Sequence, residues 1–143
     1  MLTCTRHHDI CCGHRICGHE GACANLHGHN YRFHFHCQAA GGELDSLGRV
    51  VDFGVLKETL CAWLDANWDH RLLLWREDPL LPALNALPDA ARGLAAVPFN
   101  PTVENMARHI GEVVAPLCLA GTGIAVVRCT VEETSKCNAT WEA

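Results

Sequence analysis

A chain of 143 residues, 49% hydrophobic and 19% charged, can bury one core of its own and carries too few charges to remain disordered. Its net charge of -5, with histidines neutral, argues against nucleic acid as a partner, and no apolar run reaches membrane-spanning length. The first nine residues are polar and rich in histidine, so no signal peptide is expected; in a cytoplasmic chain with its own core, the ten cysteines are read as reduced thiols and not as a disulfide scaffold.

Residues 3–17 alternate weakly. Ile10, Cys12, His14 and Ile16 share one parity, which predicts a strand with His14 on its semi-apolar face. Residues 18–26, with Gly18, Gly21 and Asn25, read as a loop. The next strand is clearer: His27, His29, Tyr31, Phe33, Phe35 and Cys37 share the parity that should face the core. Asn30, Arg32, His34 and His36 share the other, where histidines are expected to be solvated. The turn-rich stretch 41–48 is expected to return as a hairpin through Arg49-Val50-Val51-Asp52. Asp52 then caps a helix whose stripe is Phe53, Leu56, Leu60, Trp63 and Leu64 and which ends near Asn67. Trp68-Asp69-His70 follows. In 75–99, four prolines break any long helix; beyond one short helix around 89–96, the segment reads as a long connection, a lid or an interface arm.

Asn100-Pro101-Thr102-Val103-Glu104-Asn105 opens a second helix, capped by Asn100 or Thr102, with Val103, Met106, Ile110, Val113 and Val114 as its apolar face and Pro116 at its end. Residues 124–133 form a strand with Ala125, Val127, Cys129 and Val131 on one parity. Glu133 continues that parity, so either the strand has reached the surface there or the carboxylate receives a ligand. A short last strand is expected around 139–141. Cys37, Cys61, Cys118 and Cys129 are read as packing residues. The whole of 1–143 is expected to form one α+β domain with an antiparallel sheet, whose open edges favour oligomerisation.

The chemistry concentrates in Cys23-Ala24-Asn25-Leu26-His27-Gly28-His29-Asn30-Tyr31. Two histidines two apart on a strand point to the same face, and His14 is a third candidate upstream. Three imidazoles without a fourth protein ligand is the pattern of a catalytic zinc, which keeps one position open. A nearby thiol, Cys23, suggests acid/base or nucleophilic work there. The rival is a structural zinc protein, which would close its site with cysteines from the first 40 residues and leave Asp69, His70 and Glu133 without a common purpose.

Six words in order resemble the family of 6-pyruvoyltetrahydropterin and 6-carboxytetrahydropterin synthases: Cys12-Gly13-His14-Arg15-Ile16, Cys23 through Tyr31, Val51-Asp52-Phe53 with Leu56-Lys57, Trp68-Asp69-His70, Asn100-Pro101-Thr102 with Glu104-Asn105, and Glu132-Glu133-Thr134. The resemblance implies the tunnelling fold (T-fold), with a four-stranded antiparallel sheet, two helices on one face and the order ββααββ. It implies trimers that close a barrel and stack in pairs, a homo-oligomer with no nucleic acid and no membrane among its partners. It further implies Zn2+ on His14, His27 and His29, with Cys23, Asp69 and His70 as catalytic groups. Glu133, Thr102 and Glu104 would bind a pterin, 7,8-dihydroneopterin triphosphate, with Thr102 and Glu104 acting from a neighbouring subunit. The Cys23-x-x-x-His27 spacing resembles the 6-carboxytetrahydropterin synthases of queuosine biosynthesis; the alternative is the pyruvoyl-forming reaction or another trimming of the pterin side chain.

Overall fold

The computed structural model describes residues 1–143. Strands β1 (Cys4–His14) and β2 (His27–Ala39) pair antiparallel along β1's whole length, from Cys4 opposite Cys37 to His14 opposite His27. Helix α1 covers residues 53–67 as Phe53–Leu56, a wide π turn Lys57–Cys61, and Ala62–Asn67. The Asp52 side chain caps it by accepting from the Gly54 N–H at 2.7 Å. Next come β3 (Leu72–Trp75), the short helices α2 (Leu81–Asn85) and α3 (Pro88–Ala91), and β4 (Leu94–Val97). Helix α4, residues 103–118, also contains a π turn, at Ile110–Val114, and is followed by β5 (Ile124–Glu132) and β6 (Asn138–Glu142). No helix is long and apolar enough to cross a membrane.

The strands form one sheet in the order β4-β3-β1-β2-β5-β6. It is six-stranded and mixed, which corrects the expected four-stranded antiparallel sheet with its ββααββ order. The added strands come from 72–97, where β3 lies parallel to β1 at Gly13 and His14, and β4 lies parallel to β3. The proline-rich segment is therefore a crossover that extends the sheet, since a parallel pair needs a long connection; it is neither a free lid nor a bare loop. Four-residue strands with no exposed alternation leave no period to detect.

Other expectations shift locally. Residues 49–52 form no hairpin strand; the Asp45 carboxylate gathers the Leu47 and Arg49 N–H groups and the Arg49 side chain into a loop instead. A bulge between His36 and Cys37 moves the inward parity of β5 from Cys129 to Val126, leaving Ala125 exposed. Phe53 in the first helical turn and Val113 in the second π turn are exposed. Helix α4 continues through Pro116 to Cys118, because the π turn has already interrupted the regular hydrogen-bond ladder that a proline would break.

Both helices cover one face of the sheet. Leu56, Leu60 and Leu64 of α1 and Met106, Ile110 and Val114 of α4 are buried with Tyr31, Phe33 and Phe35 of β2 in one cluster. Burying each such side chain contributes about 1.5–3 kcal/mol. The other face carries Asp9, Arg32 and Glu132 and is polar. The residues of β1 and β2 that enter the functional site are those facing the helices.

Candidate active site

The β1–β2 register sets His14 opposite His27 and Cys12 opposite His29, with the ligand parity on the helix-covered side. His14 is buried, at 1% exposure. Its Nδ1 lies 2.7 Å from the Pro101 carbonyl, and His27 Nδ1 lies 2.7 Å from the Asn25 carbonyl. A carbonyl only accepts, so both Nδ1 atoms donate and both Nε2 atoms present lone pairs. Those two Nε2 atoms face each other at 3.0 Å. His29 Nε2 is buried with no hydrogen-bond partner. All three ligand atoms lie within 4.8 Å of one another. Tetrahedral zinc with bonds near 2.1 Å separates its ligands by about 3.4 Å.

A shared proton does not explain the cluster at neutral pH. Burial pushes His14 down to about 4; the Pro101 bond opposes this and the neighbouring imidazoles add to it. His29 is also lowered, mainly by burial. Converging lone pairs, an orphaned nitrogen and ring tautomers fixed by carbonyls together fit a metal cation. Tyr31 lies beneath, with its hydroxyl 3.1 Å from both His14 nitrogens. Burial pushes that hydroxyl far above its ordinary range, so it stays neutral.

The helix-opening word at 100–105 supports this centre. Asn100 clasps the Cys17 backbone, accepting from its N–H and donating to its carbonyl, both at 2.9 Å. Asn105 donates to the Asn100 carbonyl, and the Thr102 hydroxyl caps the helix through the Asn105 N–H. The Pro101 carbonyl is thus fixed against His14. Gly28 eases the approach of the two strands between His27 and His29, because a Cβ there would crowd the Cys12 carbonyl oxygen at 3.0 Å.

Cys23 sits half-buried in a short turn, Ala22–Ala24, its carbonyl accepting from the Ile16 N–H at 2.8 Å. Glu133 turns inward, with carboxylate oxygens 3.7 Å from His29 Nε2 and 4.0 Å from His14 Nε2. The strand has therefore not carried this carboxylate to open solvent, since its side chain is 23% exposed. Thr102 is the helix cap, and Glu104 is exposed in the first turn of that helix.

Asp69 and His70 lie elsewhere. The Asp69 carboxylate accepts from the Cys11 N–H at 3.0 Å and from His70 Nδ1 at 2.8 Å, and the His70 N–H donates to the Cys11 carbonyl. Burial alone would raise Asp69, but those hydrogen bonds outweigh it and hold the carboxyl below its ordinary value. Cys11 points away from the helices, and the His70 side chain is 79% exposed. No hydrogen bond joins His70 to Cys23 or to the histidine cluster. His70 also has φ 57, the single non-glycine residue with positive φ, a conformation often held at functional sites. With Cys11 and Asn30 it lines two adjoining clefts of about 670 and 610 Å³.

One pair was not singled out from the sequence. Arg15 grips the fully buried Asp78 carboxylate through Nε at 2.7 Å and Nη2 at 2.9 Å, while its Nη1 reaches the Ala24 carbonyl at 3.3 Å. Burial would raise Asp78, but Arg15 and the Leu80 N–H outweigh it and hold the carboxyl low. The residue beside His14 therefore ties the 75–99 crossover to the Cys23 turn. Asp78-Pro79 reads as an ordinary turn, so nothing local signalled it.

An α+β sheet covered on one face by two helices, with three histidines from two paired strands, defines a T-fold protein with a histidine cluster able to hold a metal. The chain belongs to the 6-pyruvoyl tetrahydropterin synthase family, whose pattern matches residues 3–143. A curated relative from Rickettsia felis, named 6-carboxy-5,6,7,8-tetrahydropterin synthase, is 34% identical over 137 residues, covering 96% of this chain and 97% of its own. A protein of Halobacterium salinarum, named a probable enzyme of the same kind, is 37% identical over 99 residues, 68% of this chain and 59% of its own. Among solved structures, an uncharacterised protein from Wolinella succinogenes superposes with a TM-score of 0.86 at 23% identity, covering 99% of this chain and 97% of its own. The Caenorhabditis elegans 6-pyruvoyl tetrahydropterin synthase gives 0.65 at 23% identity, with 99% and 95% covered.

Proposed function

We propose that the protein converts 7,8-dihydroneopterin triphosphate and one water to 6-carboxy-5,6,7,8-tetrahydropterin, acetaldehyde and triphosphate, as a cytoplasmic zinc enzyme of queuosine biosynthesis. The observation that carries this is the convergence of three imidazole nitrogens, two with lone pairs set by carbonyls on the other ring nitrogen and one buried with no hydrogen-bond partner. Full-length relatives named for that product favour it over the sister reactions, as does the three-residue gap between Cys23 and His27.

His14, His27 and His29 would hold Zn2+. The ion supplies Lewis-acid stabilisation to oxygens of the substrate side chain. Cys23, in the turn that leads into the ligand strand, removes a proton from side-chain carbon as a thiolate. Glu133 accepts two N–H bonds from the guanidine-like edge of the pterin, a charge-assisted bidentate contact. His70, held by Asp69, relays the proton. Since His70 faces outward in its own chain, a second copy presents it to Cys23, with Thr102 and Glu104 completing the pocket at the same subunit boundary. The site is accordingly shared within a homo-oligomer, a dimer of trimers. A structural zinc would require thiolates, and the cluster is built of imidazoles alone.

Incubation of the zinc-loaded protein with 7,8-dihydroneopterin triphosphate should yield acetaldehyde and triphosphate in equal amounts. Consumption of substrate without acetaldehyde would assign the protein to a sister reaction instead.

A further inference from the structure

We propose that Glu133 closes the metal's open position in the resting protein and that substrate must displace it. This role presupposes the metal held by His14, His27 and His29, and gives the pterin-anchoring carboxylate a second task in the same site.

The geometry begins with spacing. Ligands of tetrahedral zinc stand about 3.4 Å apart. Glu133 stands 3.7 Å from His29 Nε2 and 4.0 Å from His14 Nε2, using a different carboxylate oxygen for each. It is the carboxylate that stands beside two of the three ligand nitrogens, one oxygen toward each. A carboxylate oxygen is an ordinary zinc donor. The side chain is 23% exposed and forms no ion pair with any lysine or arginine; its nearest basic groups are the two neutral imidazoles. A half-buried carboxylate in that position needs a positive partner.

The backbone beneath it is fixed. The Glu133 N–H donates to the Cys137 carbonyl at 3.0 Å, and the Thr134 hydroxyl accepts from the Lys136 and Cys137 N–H groups. Movement is left to the side-chain torsions. One carboxylate cannot face the ion and also take two N–H bonds from a pterin edge. Entry of substrate oxygens at the metal and release of Glu133 toward the ring are thus one exchange. Triphosphate alone, or a diol without the guanidine-like edge, offers Glu133 nothing in return. Metal access is thereby coupled to recognition of the ring.

Co2+ in the full-length assembly is a direct probe, because four-coordinate Co2+ absorbs visible light much more strongly than ions of higher coordination. Wild-type protein should show an intense visible band without substrate. Glu133→Gln should alter that band and weaken Co2+ binding by at least about 10-fold. Glu133→Asp keeps the charge but shortens the reach and should show the same loss. Circular dichroism melting of both variants checks that they are folded. An unchanged band and affinity in Glu133→Gln, or full retention in Glu133→Asp, overturns direct capping while leaving the histidine site intact. Failure of wild-type protein to bind Co2+, or retention of binding by His27→Ala, overturns the metal site itself and the cap with it.

Discussion

Strand β1 carries two different pieces of chemistry on its two faces. On the helix side, Cys12 and His14 look into a buried cluster whose rings are fixed by the Pro101 and Asn25 carbonyls. On the other side, Cys11 holds the Asp69–His70 couple by its backbone, with the imidazole in solvent. The first face is complete within one chain and over-determined by packing. The second makes no hydrogen bond to Cys23 or to the histidine cluster. Under the proposed function, the groups that would hold a metal are built from the core, whereas the group that would move a proton lies at a surface open to a second copy.

The largest effect expected separates the faces by function. His27→Ala should abolish metal uptake, measured by metal analysis of the purified protein. His70→Ala should retain the full metal complement while turnover falls by about 10²–10⁴-fold, the usual weight of a positioned acid or base. If His70→Ala also loses the metal, the two faces are not independent.

Next comes the brace behind the inner face. Asp78→Asn leaves the Arg15 guanidinium without its buried partner and should cost about 3 kcal/mol in denaturant unfolding. Because Asp78 is held below its ordinary value, its contribution is full above about pH 4 and fades as pH falls through the folded-state value. The gap between wild type and variant should therefore narrow on acidification. Gly28→Ala places a methyl group on the outer side, against the Cys12 carbonyl, and should cost about 1–3 kcal/mol and loosen metal binding by spreading the two ligand strands. The smallest effect is chemical. At pH 8, iodoacetamide should label exposed Cys11 but not its neighbour Cys12, which burial pushes up to about 12; both should react after denaturation, as peptide mapping would show.

The histidine site was legible because alternation alone sorts β2 into an aromatic inner row that begins at His27 and His29. The same parity carried Glu133 inward, since the β5 bulge lies far upstream of it. The caps at Asp52 and Thr102 were legible because a cap is a local interaction. What escaped is non-local. Arg15 and Asp78 are 63 residues apart, and their pairing exists only once the crossover folds back on β1. Strands β3 and β4 are short parallel pieces defined by a neighbour and not by a period. The outward placement of Asp69 and His70 depends on Cys11 pointing away from the helices, which the word Trp68-Asp69-His70 cannot reveal.

The central claim is that one reaction site draws Cys23 from one copy of the chain and His70 from another. Mixing separately inactive Cys23→Ala and His70→Ala proteins, after dissociation and reassembly, tests it directly. Random closed assemblies place an intact Cys23 beside an intact His70 at roughly a quarter of the sites. Acetaldehyde formation should return to about that fraction of the wild-type rate. A mixture that reassembles and binds its metal but stays inactive would contradict the account.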